Sequence, residues 1–145
     1  MILVQVGGGG LIAGIASAVQ ALKPDTEVIG VEPEGAAKLA RALEAGRPVR
    51  LDAPHSIADG LLPFQIGTLP FEVMSGIVRR AVQVSDDEIG RAVKFLHDHM
   101  NLDVEPSGAA SFAAVLAGRV ERSAPPVAVL SGGNVDPDLF QRLVH

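Results

Sequence analysis

The sequence predicts an α/β fold: an open, largely parallel sheet with helices on both faces. Three observations predict it. Short apolar runs alternate with helical patterns along the chain. The first strand candidate, Ile2 to Val6, is an apolar run closed by glycines, the pattern of a strand covered on both sides. Two glycine-rich segments, at positions 7 to 10 and 132 to 133, each come directly after such a run. Short crossovers between parallel strands are right-handed, and binding sites in such sheets gather at the carboxyl ends of the strands. Both glycine segments therefore belong to one rim.

Ile2 to Val6 is the first strand. Leu11 to Leu22, rich in Ala and Leu and closed by Lys23 and the breaker Pro24, is a helix. Glu27 to Val31 reads as a second strand, Gly35 to Glu44 as a helix ended by Gly46, and Arg80 to Val84 as a third strand. Ser85 with Glu88 three residues on forms a capping box, and Ile89, Val93 and Leu96 then share one helix face as far as Met100. A further helix runs from Pro106 to about Val120, Pro126 to Leu130 is a last buried strand, and Pro137 to Val144 a terminal helix. Leu51 to Pro70 is the least regular stretch, and a loop of that length in a compact domain often serves function.

A chain of 145 residues is the size of one domain. Hydrophobic residues at 48% and charged residues at 20%, without runs of like charge, exclude the disordered class. The net charge of −5 and the lack of a basic cluster leave out the electrostatic term that dominates nucleic-acid binding, so no nucleic-acid partner is expected. The chain has no cysteine, which excludes a disulfide scaffold and thiolate metal sites and fits a reducing cytoplasm. The apolar run at Met1 to Val6 is far shorter than the roughly 20 residues that span a bilayer, and neither a signal peptide nor a membrane partner is expected. A small-molecule ligand is the expected partner.

Gly7, Gly8, Gly9 and Gly10 join a strand to a helix start, so several backbone N–H groups can turn toward one point with no Cβ in the way. The first-turn amides of the helix have no internal partner, and its positive dipole end faces the same point. This is an anion cradle. A Walker loop would end in Gly-Lys-Ser/Thr, whereas Gly10 is followed by Leu11 and Ile12. A dinucleotide fingerprint is closer: Gly8, Gly10 and Gly14 give an imperfect spacing, and Glu32 ends the second strand where a ribose-binding acid would sit. The third glycine of that fingerprint falls on Ala13 here, and a dinucleotide-binding module remains the alternative.

Val6-Gly7-Gly8-Gly9-Gly10-Leu11 resembles the tetraglycine phosphate loop of the serine/threonine dehydratase and serine racemase group of fold-type-II pyridoxal-phosphate enzymes. Further segments match in order: Val31-Glu32-Pro33, Ile57-Ala58-Asp59-Gly60, Val104 to Ala109, and Leu130-Ser131-Gly132-Gly133-Asn134. The resemblance implies that Gly7, Gly8, Gly9, Gly10 and the Leu11 amide hold the phosphate of pyridoxal 5'-phosphate. It further implies that Gly60 approaches the cofactor, that Ser131 faces its pyridine nitrogen and that Glu105 lines the active site. A serine hydroxyl does not enforce ring protonation as a carboxylate would, which favours β-elimination. Without the family, Ser131 reads as a turn residue and Glu105 as a carboxylate stabilised at a helix start.

In the racemase branch a divalent cation is held by residues whose counterparts are Glu32, Ala36 and Lys38. The lysine would repel a cation and pair with Glu32, so no metal site is expected. His97 and His99 lie two apart on different helix faces and read as surface residues. The family's cofactor-bearing lysine belongs to a serine-x-lysine-x-arginine-glycine segment, and Lys23, Lys38 and Lys94 have no such context. The expectation is an incomplete large domain of a threonine or serine dehydratase, inactive alone, whose substrate is a small hydroxy amino acid and whose partner is the upstream part of the same enzyme. Serine racemase and hydroxyaspartate dehydratase compete with that assignment. Uncovered apolar surface further suggests a homo-oligomer or a sticky monomer.

Overall fold

A computed structural model describes residues 1–121 and 125–145. The elements run β1 (Ile2–Gln5), α1 (Gly10–Leu22), β2 (Val28–Pro33), α2 (Lys38–Ala45), α3 (Thr68–Met74), β3 (Ala81–Val84), α4 (Asp86–Met100), α5 (Pro106–Leu116), β4 (Val127–Ala128) and α6 (Pro137–Val144). Single 3₁₀ turns occupy Glu34–Ala36 and Asp59–Leu61. The sheet order is β3-β2-β1-β4 and every pairing is parallel, with Leu3 beside Ile29 and Ala128, and Val31 beside Val82.

Side chains alternate across the sheet and divide the core in two. Leu3, Ile29 and Val31 pack on one face with Ile89, Val93 and Leu96 of α4, the alanines of α5, and Phe140 and Val144 of α6. Val4, Val6 and Val28 pack on the other with Ile12 and Ala16 of α1, Leu39 and Ala42 of α2, and Phe71 and Met74 of α3. Helices thus cover both faces, as the sequence predicts. All six residues of β2 are buried, which is why Val28 to Val31 are apolar without alternation.

The capping box at Ser85 is present. The Glu88 N–H donates to Ser85 Oγ at 3.2 Å and the Ser85 N–H to Glu88 Oε2 at 2.9 Å. Such a cap contributes about 1 kcal/mol. At the other end of α4, Asn101 takes the left-handed conformation at φ 53° and closes the helix.

Other boundaries differ from expectation. The helix expected from Gly35 starts only at Lys38, because Glu34–Ala36 forms a tighter turn. The helix from Pro106 stops at Leu116, and the chain turns at Gly118, φ 69°. The last strand, expected to be buried, keeps only Val127 and Ala128 in the ladder, and Val127 and Leu130 are exposed. The stretch from 51 to 70 is less irregular than its composition suggests: α3 begins in it, and its buried Ile66 joins Phe71 of α3 in the core beneath α1. The loop is anchored at Asp86, whose carboxylate accepts from Ser56 Oγ and from the Ile57 N–H.

Two glycine-to-alanine exchanges separate helix propensity from backbone contact. Gly14 lies exposed in α1 with open space where a Cβ would go, so Gly14→Ala is expected to stabilise the chain by about 0.5–1 kcal/mol in urea unfolding. A Cβ on Gly108 would lie 1.7 Å from the Ser131 carbonyl oxygen, and Gly108→Ala is expected to cost on the order of 2 kcal/mol or more. Equal effects would contradict the placement of α5 against the segment after β4.

Candidate functional site

With strand order 3-2-1-4, the chain leaves β1 toward β2 on one side and returns to β4 on the other, so the crevice between the carboxyl ends of β1 and β4 is the switch point. A cavity of about 240 Å³ opens there. Its floor is Gly7 to Gly10 and Leu11, and its walls are Gly60, Leu61, Glu105, Ser107, Ser131 and Gln5. Every site residue predicted from the sequence therefore meets in one place. A larger cleft, about 400 Å³, lies near Gln20, Thr26 and Arg79 at the opposite end of the sheet, away from both glycine segments.

Close backbone contacts fix the tetraglycine loop. Gly9 caps α1 in the left-handed conformation, φ 97°, with Met74, Ile66 and Pro70 packed where a side chain would begin. Gly7 touches the Gly60 carbonyl: an added Cβ would lie 2.7 Å from that oxygen. Gly8 and Gly10 instead face open space. No side chain caps α1, so its first-turn amides stay available to a ligand.

Across the cavity, Ser131 Oγ accepts a hydrogen bond from Gln5 Nε2, the side chain that ends β1. Gln5 is buried, and its Oε1 is the one buried side-chain polar atom among the described residues without a partner. With its oxygen engaged as an acceptor, the Ser131 hydroxyl keeps its proton for another group. Ser107 Oγ accepts from the Gly60 N–H at 3.0 Å and so ties the 3₁₀ turn at Asp59–Leu61 to the start of α5.

Glu105 is the N-cap residue of α5, but its side chain makes no capping bond. The carboxylate folds over Gly132 instead, with Oε1 where a side chain on that glycine would begin. Desolvation, reinforced by the nearby Asp59 charge, pushes its pKa above the usual glutamate range. Among the sequence's candidates it is the group suited to hold a proton near the cavity.

Glu32 and Lys38 lie beneath the site, both fully buried. The Glu32 carboxylate accepts from the Leu39 and Ala40 amides, at 2.6 and 3.1 Å, and so caps α2. It also pairs with Lys38 Nζ at 3.8 Å. Burial pushes the Glu32 carboxyl up and the Lys38 ammonium down, each opposed by the other's charge. Glu32 is consequently unavailable to a ribose hydroxyl, which removes the structural basis of the dinucleotide alternative. His97 pairs with Asp103 at 2.8 Å and His99 lies against Phe95, so they do not converge.

The family model described as "Pyridoxal-phosphate dependent enzyme" matches residues 1–132. This chain belongs to that family. The chain is 41% identical, over 97% of its length, to a phenylserine dehydratase from Ralstonia pickettii, of which it covers 44%. It is 34% identical over its full length to an L-threonine ammonia-lyase from Thermotoga maritima, covering 36% of it. The crystal structure of the T.th. threonine deaminase superposes with a TM-score of 0.87 at 43% identity, covering 93% of this chain and 46% of that one. The chain thus spans less than half the length of these relatives.

The cavity fits the family's cofactor on its own geometry. Two glycines leave open space beside uncapped amides, as a phosphate requires, and a neutral hydroxyl stands opposite. Sequence reasoning missed Gln5 and Ser107. The first carried a signal: a polar side chain in an otherwise apolar strand, directly before the glycines. Ser107 carried little, since a serine in a helix's first turn is ordinary.

The raised pKa of Glu105 has a stability consequence. A carboxyl whose folded pKa exceeds its unfolded value contributes stability that is present below the unfolded pKa, near about 4.3, and lost as pH rises through the folded pKa. Glu105→Gln is therefore expected to melt above the wild type at pH 7.5, with the gap closing as pH falls toward 4; thermal melts across this range check it.

Proposed function

We propose that this chain forms the phosphate-binding and ring-binding part of a pyridoxal-phosphate lyase that removes water from a small hydroxy amino acid, threonine or serine, giving a 2-oxo acid and ammonia. The observation that carries the reading is the opposition of the tetraglycine loop and Ser131 across one cavity. The names of the two relatives, a phenylserine dehydratase and an L-threonine ammonia-lyase, support the reaction class.

Bound there, pyridoxal phosphate supplies an electron-poor ring that makes the Cα proton of an attached amino acid acidic. The amides of Gly8, Gly10 and Leu11 bind the phosphate dianion, helped by the dipole of α1. Ser131, its oxygen occupied by Gln5, would offer its hydroxyl proton to the ring nitrogen. Gly60, held by Ser107, shapes the wall beside the ring. Glu105 lines the same cavity and holds a proton at higher pH than a solvated glutamate, which suits it to protonate a leaving group.

Among the described residues, no lysine lines the cavity. Lys38 is buried on carbonyl oxygens, Lys94 is bound to Asp98 and the Val144 carbonyl, and Lys23 lies at the far end of α1. The base that moves the Cα proton comes, in this reading, from the rest of a longer enzyme, and the 145-residue chain is inactive by itself. No helix among the described residues is long and apolar enough to cross a membrane, and a cytoplasmic enzyme is part of the same proposal.

Thermal melts test the assignment. Pyridoxal phosphate is expected to stabilise the chain, by about 2.7 kcal/mol at a hundredfold excess over its Kd, while NADH leaves the melting temperature unchanged. Gly8→Asp, which puts a carboxylate into the open space beside the amides, is expected to abolish the shift. Stabilisation by NADH, or a shift that survives Gly8→Asp, would overturn the reading, and ammonia release from serine or threonine by the purified chain would overturn its inactivity.

A further inference from the structure

Lys38 is the largest fully buried side chain, and the proposed chemistry does not use it. Its three ammonium protons have three carbonyl acceptors: Val6 O at 3.0 Å, Ala36 O at 3.2 Å and Leu61 O at 2.9 Å. Glu32 Oε1 completes the surroundings at 3.8 Å. A buried charge is tolerated only when paired and fully hydrogen-bonded, and this one is both. Its acceptors, however, do not belong to one element. Val6 leads into the tetraglycine loop, Ala36 ends the first 3₁₀ turn, and Leu61 ends the turn that carries Gly60.

Each carbonyl held by the ammonium constrains the peptide unit it belongs to. The Val6–Gly7 peptide is trans, so a carbonyl turned toward Lys38 sends the Gly7 N–H to the opposite side. The Leu61 carbonyl is fixed in the same way beside a turn whose Gly60 oxygen sits where a Gly7 side chain would begin. The two segments touch through backbone alone at Gly7 and Gly60, since neither glycine has a side chain to interlock them. The Lys38 ammonium bonds to both segments.

We propose that Lys38 is a positioning residue: its ammonium acts as a tethered cation that sets the register of the tetraglycine loop against the Gly60 turn. Truncation of the side chain then empties the cage of carbonyls that the ammonium fills and leaves room there for a small free ammonium ion. The register rests on backbone geometry and stands without the cofactor assignment; only its effect on cofactor affinity depends on that reading.

The test compares wild type with Lys38→Ala by amide NMR without cofactor. The variant lacks the equivalent of n-propylammonium. The Gly7, Gly8 and Gly60 amide signals are expected to move in Lys38→Ala while those of Ile89 and Leu96, on the other face of the sheet, stay, and n-propylammonium is expected to return them where n-propanol does not. A role in stability alone would lower the melting temperature without selective movement or selective rescue, and that result would overturn the proposal. Should Lys38→Ala not fold with or without the amine, the wild type decides: through-hydrogen-bond couplings from Lys38 Nζ to the Val6 and Leu61 carbonyl carbons support the proposal, and their absence contradicts it. Pyridoxal phosphate affinity is expected to fall about tenfold in the variant, a difference of roughly 1.4 kcal/mol, and to recover with the amine. A wild type that fails to bind pyridoxal phosphate would remove the functional reading and leave the register result standing.

Discussion

Backbone meets backbone at the rim of this sheet, and the rest of the site depends on it. Gly7 lies against the Gly60 carbonyl and Gly108 against the Ser131 carbonyl, with distances of 2.7 and 1.7 Å from where a Cβ would begin. Four chain segments that are distant in sequence converge there because those positions carry no side chain. The parallel sheet provides the direction, since each strand delivers its following loop to the same edge. The glycines then let those loops close to a distance at which amides, two hydroxyls and a carboxyl enclose one cavity.

The electrostatics of the cavity arise from the same arrangement. Positive potential comes from uncapped amides at the start of α1 and not from a lysine or arginine, so an anion bound there would need no mobile side chain to be ordered. The full positive charge buried beneath the loop, on Lys38, is consumed by three carbonyls and Glu32. Opposite the amides, the acid Glu105 feels Asp59 and poor hydration and is biased toward its protonated form. Donors for an anion thus stand on one wall, and a proton-holding group and a neutral hydroxyl on the other.

Much of this was legible in the sequence where local chemistry determines the outcome. The apolar run before four glycines marked β1 and its loop, Ser85 with Glu88 marked the start of α4, and the residues expected at the ligand all line one cavity. What escaped depended on tertiary contacts. The helix α3 has neither a capping side chain nor a long periodic pattern, and it exists because Phe71 and Met74 find the underside of α1. Strand β4 is short because beyond the ladder the chain turns its groups to α5, with the Val129 carbonyl accepting from Ser111 and the Ser131 amide donating to Gly108. The Gln5–Ser131 hydrogen bond and the carbonyl cage around Lys38 span 126 and up to 32 residues of sequence, which no local pattern encodes.

The central claim is that the crevice between β1 and β4 is the cofactor site, and an amide map of the isotope-labelled chain titrated with pyridoxal phosphate tests it most directly. The account predicts saturable shifts concentrated in Gly8, Gly9, Gly10, Leu11, Gly60 and Ser131. Saturable shifts confined instead to the cleft around Gln20, Thr26 and Arg79, with the glycine loop unmoved, would contradict it.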